Sequence, residues 1–131
     1  MTYLIDTDWA VDYLKGKPDA VSLLQSLRPQ GLAISQINYA EIYEGIYYGK
    51  DRPKNELALH RFLRVVTVLP LNRQILQRFG VIRGDLRAHG LLFGDFDLLI
   101  GTTALHHNLT VVTRNVKHYN RIPRLLLYST P

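Results

Sequence analysis

The sequence of 131 residues contains no cysteine, which excludes disulfide bonds and thiolate metal ligands. It has no apolar run long enough to cross a bilayer, so no membrane association is expected. The first residues, MTYLIDTD, include an early acid and no basic stretch, which is not the pattern of a secretory signal. We therefore expect a single cytoplasmic domain over residues 1–131 that buries its own hydrophobic core.

Acidic residues are outnumbered, with 11 Asp and Glu against 16 Lys and Arg, for a formal net charge of +5. A basic surface around an acidic pocket suits a polyanion whose reacting phosphate sits on a metal ion. Many small basic proteins bind nothing anionic, so the charge alone does not decide between these two interpretations.

Short apolar segments alternate with amphipathic ones, which predicts a parallel sheet covered on both faces by helices. Strands are predicted at 3–5, 32–34, 65–69, 109–113 and 125–127, and helices at 7–15, 18–27, 36–48, 52–63, 73–89 and 95–107. The fold class is therefore α/β, a three-layer α/β/α sandwich with a short parallel sheet. In such a sheet the functional site lies at the carboxyl ends of the strands.

Asp6 directly follows the first predicted strand and is expected at that edge. The alternative is that Asp6 is only the N-cap of the next helix, but Thr7 and Asp8 can also serve there, and Asp8 is preferred. Asp6 is therefore a candidate functional carboxylate. Asp12 is expected to face solvent.

Two aspartates, Asp95 and Asp97, begin the segment DFDLLIGTTALHH. Helical spacing from Asp97 reaches only apolar or small residues, namely Ile100, Gly101, Ala104 and Leu105. Asp95 shares its side with Thr102 and His106, the predicted solvent side, and is the expected N-cap. A carboxylate above a buried stripe needs a cation or hydrogen-bond donors, which makes Asp97 the better functional candidate. The alternative is an aspartate held only by backbone N–H groups of the first turn.

The segment SQINYAEIYEG carries two glutamates, Glu41 and Glu44, one helical turn apart. Helical phase does not separate them, and either could be a solvated surface residue. Asn115 follows the fourth predicted strand, so it belongs to the same edge as Asp6 or else is a turn residue. Basic residues surround Asn115, among them Arg114 and Lys117.

The same helix carries an arc of tyrosines, Tyr39, Tyr43 and Tyr47, with Tyr48 beside it. The arc could line a groove for a partner helix or a second subunit. Packing of these rings against the sheet is the alternative.

Three stretches together resemble the PIN-domain family, specifically VapC-type toxins of toxin–antitoxin systems. They are YLIDTD, ISQINYAEIYEG and DFDLLIGTTALHHNLTVVTRNVKHYNRIP, and they span nearly the whole chain in order. The resemblance implies that Asp6, Glu41 and Asp97 form the family's acidic triad, which selects Glu41 over Glu44. The fourth family position falls at Asn115, where some members carry an aspartate. Members commonly have alanine where this chain has Gly101.

The family's activity implies a metal-dependent endoribonuclease that hydrolyses RNA phosphodiesters. Ligands that are all oxygen select Mg²⁺ or Mn²⁺, held mainly by Asp6 and Asp97. Glu41 is expected to ligate through water or to accept a water proton, and Asn115 to orient a water or a phosphate oxygen. The resemblance also implies a cognate VapB-like antitoxin and a homodimer.

Arg114 and Lys117 are candidate contacts to the flanking phosphates of the RNA.

The main alternative function is an RNA-binding or antitoxin-binding PIN module that no longer cleaves, which Asn115 in place of an acid would favour. A phosphatase with an aspartyl nucleophile would need a distal lysine and acidic pair. A receiver domain would need an aspartate after the third strand, where the sequence reads LPLN.

Overall fold

A computed structural model describes residues 1–129 of the protein. Its sheet is parallel throughout and has the strand order β3-β2-β1-β4-β5. The strands are β1 (Tyr3–Ile5), β2 (Leu32–Ser35), β3 (Val66–Leu69), β4 (Thr110–Val112) and β5 (Leu126–Leu127). Helices cover both faces, so the predicted α/β/α sandwich is confirmed.

The helices are α1 (Thr7–Leu14), α2 (Pro18–Leu27), α3 (Gln36–Tyr47), α4 (Arg52–Phe62), α5 (Arg73–Ala88), α6 (Asp95–His106) and α7 (Val116–Tyr119). Each predicted strand and helix is present, with ends that differ by at most one residue. The short α7 and a 3-10 turn at Arg28–Gln30 were not predicted from the sequence. No helix within residues 1–129 is both long and apolar enough to cross a membrane.

Two hydrophobic clusters fill the spaces on either side of the sheet. Leu4 packs into the cluster that includes residues of α5 and α6, and the next residue, Ile5, packs into the cluster that includes residues of α1, α2 and α4. Both side chains are fully buried, because successive residues of a strand point to opposite faces. This explains why the strands read as continuously apolar.

The central position of β1 determines where the polar residues meet. Leu4 of β1 pairs with Ala33 of β2 on one side and with Val111 of β4 on the other. The residues that follow these three parallel strands therefore emerge at one edge. Asp6 and Thr113 are buried at this edge.

Two predicted helix caps were wrong. Asp6 itself is the N-cap of α1, since its Oδ1 accepts from the Thr7 backbone N–H at 2.9 Å, and Asp8 is exposed. Gly94 precedes α6 in the N-cap position, and Asp95 accepts a hydrogen bond from Arg83 Nε at 2.8 Å instead. A short side chain at the end of a strand can thus cap the next helix and still belong to the sheet edge.

Two predicted solvent-facing positions were also wrong. Thr102 is fully buried, because α6 is contacted by α3, α5, α7 and β4 rather than along one stripe alone. Its hydroxyl is satisfied within the helix by the carbonyl of Leu98 at 2.7 Å. Asp12 is half-buried and forms an ion pair with Arg114 at 2.8 Å.

Candidate active site

Asp6 is a buried carboxylate, 5% exposed, that accepts hydrogen bonds from three separate parts of the chain. Its Oδ1 accepts from the backbone N–H of Thr7 at 2.9 Å and from the hydroxyl of Tyr119 at 3.2 Å. Its Oδ2 accepts from the hydroxyl of Thr113 at 2.7 Å. An ionised carboxylate has about four acceptor positions, so these donors leave about one for a further ligand.

The position of Tyr119 depends on a glycine in the neighbouring helix. A Cβ at Gly101 of α6 would lie 2.4 Å from Ile122 Cδ1 and 3.2 Å from the Tyr119 ring. The missing side chain lets α7 lie directly against α6, with Tyr119 fully buried between them. Burial, followed by the charge of Asp6, raises the pKa of Tyr119, so its hydroxyl remains protonated and donates.

Asp97 is half-buried in the first turn of α6 and is held by Asn115, the residue that precedes α7. Asn115 Nδ2 donates to Asp97 Oδ2 at 3.0 Å and lies 2.8 Å from Nδ1 of His118. The His118 ring stacks on Phe93 with a centroid separation of 5.4 Å. Asn115 is therefore a donor to the site acid, a role that an aspartate could not fill in its ionised form.

Glu41 is half-buried in α3, and its Oε1 accepts from the Thr7 hydroxyl at 2.7 Å. Thr7 lies in the first turn of α1, next to Asp6, so this bond ties α3 to the start of α1. Glu44 is exposed to solvent. The two glutamates therefore differ in burial and in hydrogen bonding, a difference that helical phase alone could not show.

The three carboxylates share one electrostatic environment. Burial raises the pKa of Asp6, and the charge of Asp97 raises it further against the lowering effect of the three hydrogen bonds. Burial also raises the pKa of Glu41, and the charges of Asp97 and Asp6 add to this effect. The charge of Asp97 therefore acts on both of the other acids.

The donor set fits a hard divalent ion bound through few protein ligands. Among residues 1–129, no three His, Asp or Glu side chains are grouped closely enough to hold an ion together. Mg²⁺ commonly keeps several waters and uses one or two carboxylates, so binding by Asp6 and Asp97 with water completing the shell suits these residues. Direct ligation by all three acids does not.

The two basic residues near Asn115 differ in their surroundings. Arg114 lies with its guanidinium carbon 3.9 Å from the centroid of the Trp9 ring, and it forms ion pairs with Asp12 at 2.8 Å and Asp19 at 3.7 Å. Lys117 is exposed in α7. The charge of Arg114 is therefore shared with carboxylates, whereas Lys117 presents its ammonium group to solvent.

The tyrosine arc does not pack against the sheet. Tyr39, Tyr43, Tyr47 and Tyr48 are 37%, 36%, 49% and 83% exposed, so the core-packing alternative was wrong. Tyr39 and Tyr43 stack at 6.3 Å and line a cavity of about 110 Å³ between α3 and α4. We call these four side chains the tyrosine face.

The hydrogen-bonding partners that hold the acids in place were not predicted from the sequence; they are Thr7, Asn38, Thr113, His118 and Tyr119. The bond from Thr113 to Asp6 joins residues 107 positions apart, and the bond from Tyr119 joins residues 113 positions apart. Helical or strand periodicity carries no information about such pairs. A polar residue at the end of the fourth strand was the one available signal for Thr113.

The chain is similar in sequence and in structure to known proteins. The PIN domain model matches residues 3–125. Ribonuclease VapC2 of Rickettsia felis is 33% identical over 129 residues, covering 97% of this chain and 96% of that protein. Ribonuclease VapC1 of Haemophilus influenzae is 31% identical over 127 residues, covering 95% of each. The structure of VapBC2 from Rickettsia felis bound to a DNA fragment from their promoter matches with a TM-score of 0.90 and 31% identity over 100% of both chains. The chain belongs to the PIN domain family.

Proposed function

We propose that the protein is a divalent-metal-dependent endoribonuclease and the toxin of a VapBC-like toxin–antitoxin pair. The observation that carries this proposal is the placement of Asp6, Glu41 and Asp97 at one edge of the sheet, where the charge of Asp97 raises the pKa of both Asp6 and Glu41. Relatives that match nearly the whole chain are named ribonucleases. The activity is assigned to one domain over residues 1–131, acting in the cytoplasm.

Asp6 and Asp97 would hold Mg²⁺ or Mn²⁺, because both offer hard carboxylate oxygens. When bound, the ion would polarise the scissile phosphate and lower the pKa of the attacking water. Glu41 remains an acceptor for a water proton, since its carboxylate receives the Thr7 hydroxyl on one oxygen. The side-chain amide nitrogen of Asn115 donates to Asp97, and its carbonyl oxygen would orient a water.

The RNA would be held beside these acids by exposed basic groups. Lys117 is the stronger candidate for a flanking phosphate, because Arg114 already shares its charge with Asp12 and Asp19. Such contacts give affinity that depends on salt and carry no sequence information. Single-stranded or looped RNA is the proposed target, since A-form duplexes hide their base edges.

A VapB-like antitoxin is the proposed protein partner, and a homodimer the proposed assembly. The structural relative from Rickettsia felis is a VapBC complex, which supports a partner of that kind. The tyrosine face supplies exposed aromatic area next to a small cavity that is also lined by Leu59 and Leu63, the type of surface that an amphipathic helix covers.

The decisive experiment compares wild type with Asp97→Asn on total bacterial RNA, with Mn²⁺ or with EDTA. Cleavage by wild type only in Mn²⁺, and by the variant in neither condition, is the expected result. Asp85→Asn serves as the matched control, because Asp85 is an exposed aspartate of α5. Full cleavage by Asp97→Asn, or by wild type in EDTA, would refute the proposal. Growth arrest on expression in bacteria, abolished by Asp6→Asn, tests the toxin role.

A catalytically weak RNA-binding or antitoxin-binding module is the second candidate. The amide of Asn115 in the fourth family position favours it, because the site then has one carboxylate fewer. A titration with Mn²⁺ discriminates the two: a nuclease loses its metal binding in Asp97→Asn, whereas a binding module has none to lose.

A further inference from the structure

A chain of hydrogen bonds runs from the start of α3 to the proposed proton acceptor Glu41. The backbone N–H and the hydroxyl of Ser35 both donate to Asn38 Oδ1 at 2.9 Å. Asn38 Nδ2 donates to the Thr7 hydroxyl oxygen at 2.9 Å, and that hydroxyl donates to Glu41 Oε1 at 2.7 Å. Ser35 and Asn38 are both fully buried, so these groups have no alternative partner in water.

The direction of donation is fixed by the first member. A backbone N–H can only donate, so the Asn38 oxygen must face Ser35 and the Asn38 amide nitrogen must face Thr7. The Thr7 oxygen accepts from Asn38, which leaves its single proton for Glu41. The series of hydrogen bonds therefore ends with the Thr7 hydroxyl donating to Glu41, and this last bond forms only when Glu41 Oε1 accepts.

We infer that Thr7 and Asn38 are positioning residues for Glu41 in RNA cleavage, an inference that rests on the proposed function. A capping box ordinarily closes on itself at the N-terminus of one helix. Here Asn38 takes the place of the usual Glu or Gln and extends the box to a second helix, α1. The cap that starts α3 thus fixes the Glu41 side chain of the same helix through a residue of another.

The primary test is the isosteric pair Thr7→Val and Thr7→Ser. Valine removes the hydroxyl but keeps the backbone N–H that donates to Asp6 Oδ1, whereas serine keeps both. Loss of a supporting hydrogen bond at a site of this kind lowers activity by about 10- to 100-fold. We expect Thr7→Val to lower kcat by that factor with KM unchanged, and Thr7→Ser to stay near wild type.

Kinetics would use a fluorophore-quenched single-stranded RNA oligonucleotide of mixed sequence with Mn²⁺. Thr67→Val is the matched control, because Thr67 is an exposed threonine of β3. Thermal melts establish that each variant is folded. Wild-type kcat in a folded Thr7→Val protein would overturn the inference, and so would an equal loss in Thr7→Ser.

A double-mutant cycle separates positioning from general structural damage. If Thr7 acts through Glu41, adding Thr7→Val to Glu41→Gln lowers kcat no further. A further 10-fold loss in the double variant would contradict the inference.

Asn38→Asp offers an independent test with nearly the same side-chain volume. Its carboxylate would still accept from Ser35 but would draw the Thr7 proton away from Glu41, so kcat should fall as in Thr7→Val. A folded Asn38→Asp protein with wild-type kcat contradicts the inference. If Asp97→Asn remains active, the proposed function fails; if Asp97→Asn is inactive and Thr7→Val fully active, only this inference fails.

Discussion

Asp6 and Asp97 are the two proposed metal ligands, and the chain treats them differently. Asp6 is buried and receives three hydrogen bonds from α1, α7 and the end of β4. Asp97 is half-buried and receives a bond from Asn115. One carboxylate is insulated and fixed before any ion arrives, while the other stays accessible to solvent. If both acids bind the ion as proposed, Asp6 would fix the position of the site and the more exposed Asp97 would leave it accessible to solvent.

The largest expected change in stability comes from removing a hydrogen-bond donor to the buried Asp6. Thr113→Val deletes the 2.7 Å bond to Asp6 and the acceptor for the Asn115 backbone N–H. Removing one hydrogen-bond donor from a buried carboxylate lowers the free energy of unfolding by about 2 kcal/mol. Urea denaturation at neutral pH in EDTA measures the loss, with Thr113→Ser as the control. A change below about 0.5 kcal/mol would show that the Thr113 bond does not stabilise Asp6.

Adding a carboxylate next to the more exposed Asp97 should have the next largest effect, here on metal affinity. Asn115→Asp replaces a donor to Asp97 with a further carboxylate, which favours a bound cation. We expect Mn²⁺ affinity to rise about tenfold, equivalent to about 1.4 kcal/mol, and the metal-free protein to be less stable. Calorimetric titration measures the affinity. Unchanged affinity would mean that position 115 lies outside the reach of the ion.

Neutralising Asp6 should stabilise the metal-free protein by about 1 kcal/mol while abolishing cleavage. Burial raises the pKa of Asp6 in the folded chain above its unfolded value, so the folded state binds the proton more tightly. Stability therefore falls as pH rises from the unfolded pKa through the raised folded pKa. Asp6→Asn, which retains a good helix cap, should remove this part of the pH dependence. Melting temperatures between about pH 3 and about pH 8 in EDTA provide the measurement. A lower melting temperature for Asp6→Asn at neutral pH would contradict the prediction.

The smallest effect on folding is expected at Asp97. Because this side chain is half-buried and accepts a bond from Asn115, Asp97→Asn should change stability by less than about 0.5 kcal/mol in EDTA. The same substitution should abolish stabilisation by Mn²⁺. A large loss of stability without metal would place Asp97 with Asp6 as a structural carboxylate and remove the contrast between them.

The sequence predicted the elements well because their signals are local. Pro18 begins α2 and Ser35 caps α3, as expected from their identities, and the short apolar strands ended where polar residues begin. Asp6 and Asn115 were predicted at the same edge of the sheet because each follows a predicted parallel strand. The four-residue α7 was missed because it is too short to show a helical period.

The contacts within the site could not be predicted in the same way. Asp6 was predicted to be a functional carboxylate and Asp8 the helix cap, yet Oδ1 of Asp6 both caps α1 and accepts from the Tyr119 hydroxyl. Thr102 was placed toward solvent because periodicity assumes one packed face, whereas α6 is surrounded. The donors to the acids come from distant positions and depend on how α1, α6 and α7 pack together.

The wide sequence separation of the Asp6 contacts has a consequence for the order of events during synthesis. Asp6 leaves the ribosome well before its partners Thr113 and Tyr119, which follow 107 and 113 residues later. Contacts of such high contact order form only after most of the chain is available. An unfinished polypeptide therefore carries the acid without the surroundings that organise it. The nascent protein therefore lacks an organised Asp6 carboxylate until α7 has been made.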